Sequence, residues 1–154
     1  MVGLGFDLHR LGKGKGLILG GINIPYPMRL LGHSDGDVVL HAICDAILGA
    51  TGMGDIGDHF PDSKPQYKGV SSTLLLLKVL KMIRLKGYRI QNIDINIILQ
   101  RPKLGGWKAE IRKNISRLTG LGTGRVNVKA KTTEGLGHIG KGKAVAAQAI
   151  VSVR

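Results

Sequence analysis

A chain of 154 residues is the length of one ordinary domain, and 43% hydrophobic against 21% charged residues excludes a disordered chain. Glycine is the outlier at 24 residues, but no G-x-y period runs through it, so collagen is excluded and the glycines mark turns or close backbone approaches. Lys and Arg outnumber Asp and Glu by 23 to 10, and the net charge of +13 favours an anionic partner, whether nucleic acid, membrane surface or phosphorylated substrate.

In chain order, Val2 to His9 alternates with the period of a strand. Leu17–Leu19 and Ile22–Ile24, joined by Gly20–Gly21 and stopped by Pro25, read as a hairpin. Ser34 precedes a helix over 35–50 whose first turn carries carboxylates, as the macrodipole favours. Residues 52–67, rich in Gly, Pro and Asp, form a long irregular loop of the kind that carries function. Ser71 or Ser72 caps a second helix ending at Gly87, and Ile93 to Leu99 alternates as a strand stopped by Pro102. A third helix spans 107–118. Val126 to Ala130 is a further strand, and the last, 144–153, is apolar on nearly both faces, which suggests burial by other subunits as well as by its own helices.

No stretch can cross a membrane: the run from Leu74 to Ile83 is broken by Lys78 and Lys81, short of the ~18 residues needed. The start has no basic-then-apolar leader, and the lone Cys44 has no partner for an internal disulfide. Both readings place the chain in a cytoplasm, without a membrane partner.

Three groups of residues carry chemistry. Asp7 and His9, two apart on a strand, leave the same face and offer half of a metal site; a surface pair has the same spacing. Asp37, His41 and Asp45 stand at i, i+4 and i+8, so His41 can complete an Asp-His-His set with an open fourth position, the catalytic zinc pattern. A solvated helix face with His41 partly buried has that spacing too. Thr132-Thr133-Glu134 ends a strand before glycine-rich sequence, where hydroxyls can donate to phosphate and a single carboxylate can hold magnesium on a diphosphate. The Gly–Lys stretches 12–16 and 140–143 do not fit a P-loop, and the first reads as a solvated turn.

Taken in order, Gly5-Phe6-Asp7-Leu8-His9, Gly20-Gly21, His33-Ser34-Asp35-Gly36-Asp37 with His41 and Asp45, Gly54-Asp55-Ile56-Gly57, Phe60-Pro61-Asp62, Arg101-Pro102-Lys103 and Lys131-Thr132-Thr133-Glu134 resemble the 2-C-methyl-D-erythritol 2,4-cyclodiphosphate synthases over nearly the whole chain. The resemblance implies a two-layer α+β sandwich, ferredoxin-like, with a mixed four-stranded sheet and helices on one face, assembled as a homotrimer with active sites between subunits. It implies zinc on Asp7, His9 and His41, and magnesium or manganese on Glu134. Asp55 and Gly57 would face the erythritol part and His33 and Ser34 its phosphate, with Asp45 and Ile56 also binding substrate and Phe60, Pro61, Asp62, Ser63 and Lys64 in the substrate loop. Leu99, Gln100, Arg101, Pro102, Lys103, Leu104 and Gly105, with Lys131, Thr132 and Thr133 of the adjoining subunit, would form the cytidine pocket.

The implied substrate is 4-diphosphocytidyl-2-C-methyl-D-erythritol 2-phosphate, and the products are the cyclodiphosphate and CMP. The attacking phosphate oxygen is already anionic, so the reaction asks for charge neutralisation and alignment rather than a strong base. His33 and Thr132 are the candidates for stabilising the developing charge. On the trimer axis the resemblance implies a cavity for an isoprenoid diphosphate, where Lys141 and Gln148 replace an arginine and a glutamate; His138, Lys64 and Gly135 also depart from the common pattern. Two rival readings share parts of this evidence: a zinc-dependent phosphohydrolase with the same ligands, and a small basic RNA-binding module. The latter is opposed by 4% aromatic residues and dispersed basic ones, so nucleic acid is not an expected partner.

Overall fold

The computed structural model describes residues 1–154. Strand β1 (Val2–Lys13) is the longest element of the sheet. A separate hairpin of β2 (Leu17–Leu19) and β3 (Ile22–Ile24) turns at Gly20 and Gly21, whose φ angles of 60° and 76° favour glycine. The chain returns to β1 as β4 (Met28–Leu30), then enters α1 (Val38–Ala50) and the short α2 (Ile56–His59). After α3 (Ser72–Leu85) come β5 (Ile90–Ile98), α4 (Lys108–Thr119), β6 (Val126–Lys131), the single turn α5 (Gly137–Gly140) and β7 (Ala144–Val153).

The main sheet runs β4-β1-β7-β5-β6, antiparallel except for the parallel β5–β6 pair. It is an α+β fold with α1 packed on β1 and β7 and α4 on β6. Two details differ from expectation. There are five strands rather than four, because the three-residue β4 is too short to carry a readable period. The main connectivity is β-α-β-α-β-β, not the β-α-β-β-α-β of a ferredoxin-like fold, since β7 inserts between β1 and β5.

Alternation along β1 divides its residues between two environments. Gly3 and Gly5 face inward, where a Cβ would lie 2.0 Å from the Ala46 carbonyl oxygen and 1.9 Å from that of Ala42. Only glycine lets α1 lie this close to the strand. Asp7 and His9 continue the same inward face, and His41 stands beside Ala42 on the helix. The close approach therefore sets the separation of the two elements that carry the site.

The other face of β1 presents Val2, Leu4, Phe6 and Leu8, all exposed, with Ile150 of β7 opposite Leu4. Further across the sheet this face turns polar, and Lys129 of β6 donates to Asp94 of β5. The last strand is thus apolar on both faces only in part: Val145, Ala147, Ala149, Val151 and Val153 are buried, while Gln148 and Ile150 are exposed.

Helix α1 begins later than expected. Asp37 is its N-cap rather than a first-turn residue, accepting from the N–H groups of Val39 and Leu40. The Asp37 carboxylate also takes the Gly20 and Gly21 N–H groups at 2.9 and 2.7 Å, pinning the hairpin to the helix. It is fully buried, which lifts its pKa to about 6 against the pull of those donors. Asp37 therefore belongs to the scaffold and not to the His41 face that i, i+4 spacing predicts. The first Gly–Lys stretch also differs, since Gly12 and Lys13 are still paired in β1. Helix α3 is capped by Ser71, whose hydroxyl accepts from Thr73 N–H.

Candidate active site

The inward face of β1 and the first turns of α1 bring three ligand atoms together. Asp7 Oδ2 lies 2.9 Å from His41 Nδ1 and 3.0 Å from His9 Nδ1. Ligand atoms on a tetrahedral ion with bonds of ~2.0–2.1 Å are about 3.3 Å apart, so a small expansion makes room for one. His9 Nδ1 is buried and makes no hydrogen bond. An orphaned imidazole nitrogen turned towards a carboxylate oxygen and a second imidazole nitrogen is a donor set suited to a divalent cation.

Electrostatics agree with that geometry. Burial raises the Asp7 pKa, but the His41 hydrogen bond and the neighbouring His9 ring more than offset it and hold Asp7 at about 2. For His41, burial favours the neutral ring, yet the Asp7 carboxylate outweighs it and the pKa is raised. Without a metal ion, Asp7 and His41 each stabilise the other's charged form.

Around the cluster is a cavity of about 430 Å³ lined on one side by Gly32, His33 and Ser34, and on the other by Ile56, Gly57, Phe60, Pro61 and Asp62. Gly32 has a steric role: a Cβ there would lie 2.8 Å from the His9 ring. His33 sits exposed at the rim, 3.8 Å from Asp62. Ser34 Oγ is 3.1 Å from His41 Nε2. Asp45, one turn beyond His41, accepts from Ile56 N–H at 2.8 Å, and burial raises its pKa. Asp55 caps α2 through a reciprocal capping box with Asp58. Asp45 and Asp55 thus shape the loop that lines the cavity. Ser63 and Lys64 are exposed beyond the lining residues. Lys78 of α3 lies over the Phe60 and Tyr67 rings at 5.8 and 5.2 Å, holding the loop against that helix.

The remaining expected site residues lie elsewhere. Leu99, Gln100, Pro102, Lys103, Leu104 and Gly105 form a second cavity of about 300 Å³ with Lys131 and Thr132. No residue lines both cavities. Arg101, whose peptide bond to Pro102 is cis, is exposed beside it. Glu134 follows in the left-handed region with φ 54°, exposed, its Oε1 accepting from Thr132 Oγ1. Thr133 donates to the Leu136 carbonyl, and Gln100 Oε1 accepts from Gly135 N–H. His138 lines a third cavity with Arg10 and Lys143, and Lys141 is the exposed C-cap of α5.

A family model described as the YgbB family matches residues 1–154. The chain belongs to that family. The 2-C-methyl-D-erythritol 2,4-cyclodiphosphate synthase of Syntrophotalea carbinolica is 53% identical over 97% of this chain and 92% of its own. That of Alkaliphilus metalliredigens is 53% identical over 99% and 96%. A synthase structure described as the CDP-bound form superimposes with a TM-score of 0.92 at 38% identity, covering all of both chains. The family's activity is cyclodiphosphate synthesis in isoprenoid precursor formation, and this chain has it. No helix is long and apolar enough to cross a membrane.

Sequence reading misses part of the first cavity. Ser72, Tyr67, Val70, Leu75 and Gly32 touch the site or its ligands without standing in any of the recognised motifs. Ser72 has a legible local signal, but it is that of a helix start, and its contact with His41 spans 31 residues.

Proposed function

We propose that the chain cyclises 4-diphosphocytidyl-2-C-methyl-D-erythritol 2-phosphate to 2-C-methyl-D-erythritol 2,4-cyclodiphosphate and CMP at a site completed by a neighbouring subunit. The observation that carries this reading is the division of the site residues: the Asp7–His9–His41 cluster and the Leu99–Gly105 segment line separate cavities within one chain. A substrate with an erythritol phosphate at one end and cytidine at the other needs both. A homotrimer that covers the exposed Val2, Leu4, Phe6, Leu8 and Ile150 side chains would also set one chain's first cavity beside another's second.

The bond changes are few. An oxygen of the 2-phosphate attacks the β-phosphorus, a P–O bond forms there, and the bridging P–O bond breaks with its electron pair leaving on CMP. No water is consumed. Asp7, His9 and His41 would hold zinc, and Glu134 with the substrate phosphates would hold magnesium or manganese; such ions polarise phosphoryl oxygens and neutralise their charge.

The chain's own groups do the positioning. His33 and Ser34, which line the first cavity, would donate to the erythritol phosphate. Asp55, Ile56 and Gly57 bound the sugar-alcohol part, and the loop from Phe60 to Lys64 limits water access. Thr132, which lines the second cavity, would donate to the α-phosphate as charge moves onto CMP, giving up its bond to Glu134 Oε1. Lys131, Thr133 and the Leu99–Gly105 segment would hold the nucleoside. On a trimer axis, Lys141 and Gln148 would meet the diphosphate of an isoprenoid with a ring of ammonium charges. Lysine lacks the planar fork of arginine, so that binding should be salt-sensitive.

Phosphorus NMR of the purified protein with substrate, zinc and magnesium tests the reading. The expected products are cyclic diphosphate and CMP; linear phosphate formed with uptake of water would identify a phosphohydrolase instead.

A further inference from the structure

The His41 ring is held from both sides. Its Nδ1 faces Asp7, and its Nε2 lies 2.8 Å from Ser72 Oγ, the first residue of α3. Ser72 is fully buried. Its hydroxyl also contacts Asp35 Oδ1 at short range, and its N–H donates to Asp35 Oδ2 at 3.1 Å. Asp35 accepts a third bond from Asp37 N–H.

The directions of these bonds follow from proton counting. An ionised carboxylate only accepts, so the single Ser72 O–H proton is donated to Asp35. The Ser72 oxygen then has only lone pairs to offer, and it accepts from Nε2–H of His41. Nε2 thus keeps its proton, so the proton free to leave is the one Nδ1 shares with Asp7, and its loss exposes a lone pair facing Asp7 and His9. Ser34 Oγ is the competing partner at 3.1 Å, but its oxygen also accepts from Gly36 N–H and is tied to no carboxylate.

We infer that Asp35 and Ser72 form a positioning chain that fixes the orientation and protonation of His41 as a metal ligand. This deepens the zinc reading above and rests on it. Outer partners of this kind hold a ligating imidazole at one rotation and raise its basicity, and their loss costs ~10–100-fold in metal affinity. The chain also ties three segments to one ring: the loop after β4 through Asp35, α1 through His41 and α3 through Ser72.

The test is zinc affinity measured by chelator competition on the full-length protein, with the thermal stability of the zinc-free form recorded alongside. Ser72→Ala should weaken zinc binding ~10–100-fold and leave it saturable, and saturating zinc should recover most of the wild-type kcat. Asp35→Asn can still accept through its amide oxygen, so its loss should be smaller. In nitrogen-labelled, zinc-loaded protein the His41 Nε2–H proton should resonate downfield and exchange slowly, and Ser72→Ala should remove both features.

A Ser72→Ala variant with wild-type zinc affinity but lower thermal stability would leave Ser72 as a helix-end residue only and overturn the inference. Equal weakening by Ser34→Ala and Ser72→Ala would also overturn it, because the nearer partner would then have no special part. Should Ser72→Ala fail to fold, Asp35→Asn and the Nε2–H signal of the wild type decide the matter. Wild-type protein that takes up no zinc overturns the metal reading and this one together, whereas zinc uptake lost in His41→Ala and unchanged in Ser72→Ala overturns this one alone.

Discussion

The cavity around Asp7, His9 and His41 and the cavity beside Leu99 to Gly105 are built by opposite means. In the first, ligands from β1 and α1 are brought together by two inward glycines, and His41 is bonded on both ring nitrogens. Its side chains are largely buried, with His41 only 12% exposed. In the second, most of the polar groups are exposed: the Lys103 and Lys131 ammonium groups stand open, and the Thr132 and Glu134 side chains bond only within their own turn. The first half can hold a small cation before substrate arrives. The second has the openness of a surface that awaits a ligand or another subunit. Chemistry that depends on sub-ångström placement sits where one chain can fix it, and in the proposed assembly recognition would be completed by a neighbouring subunit.

The largest effect should come from breaking the first half. His41→Ala removes one of three ligands, and bound zinc should fall well below one per chain with activity reduced on the order of 10³-fold or more. Elemental analysis and turnover are the measurements; full zinc occupancy in this variant would remove His41 from the ligand set.

Mixing sharpens the comparison further. Thr132→Ala damages only the second half, and each single variant should be nearly inactive alone. After subunit exchange in an equal mixture, a site is intact when a His41-bearing chain meets a Thr132-bearing one in the right order, which random assembly gives for about one quarter of sites. Recovery approaching a quarter of wild-type activity supports shared sites. No recovery with exchange demonstrated would place each site within one chain. A related loss should follow Leu4→Asp, which puts a carboxylate into the exposed apolar strip of β1: sedimentation should show smaller species, and activity should fall although the zinc ligands are untouched.

How far each half could be read without coordinates differs for physical reasons. Asp7 and His9 were legible because a strand has period two, and His41 because a helix brings i and i+4 to one side. The same helical spacing misplaced Asp37, since a cap residue turns its side chain back onto the backbone. Ser72 was legible as a helix start and illegible as a partner of His41, because nothing local encodes a contact across 31 residues. The strand count failed at β4, where three residues cannot display a period, and the connectivity failed because the place of β7 between β1 and β5 is a long-range choice. Several residues lining the second cavity stand in ordered motifs, and their separation from the first cavity is a property of the folded chain.

The smallest expected effect concerns the charge shared between Asp7 and His41 when zinc has been removed. Asp7 is held at about 2 against an ordinary 3.8, so its contribution to stability is present above 3.8 and lost as pH falls towards 2. His41 is raised above 6.5, so its contribution is complete below 6.5 and lost as pH rises through its folded value. The zinc-free protein should therefore exceed Asp7→Asn in Tm most clearly between about pH 4 and 6.5, with the margin closing on either side. Added zinc should reverse the alkaline limb, because a bound ion would compete with the Nδ1 proton, and stabilisation by zinc should grow with pH over the same range. The second cavity has no such paired groups, and Thr132→Ala should leave both pH profiles unmoved. Parallel Tm curves for wild type and Asp7→Asn across this range would show that the two groups do not share a charge, and that the first half of the site is organised by its hydrogen bonds alone.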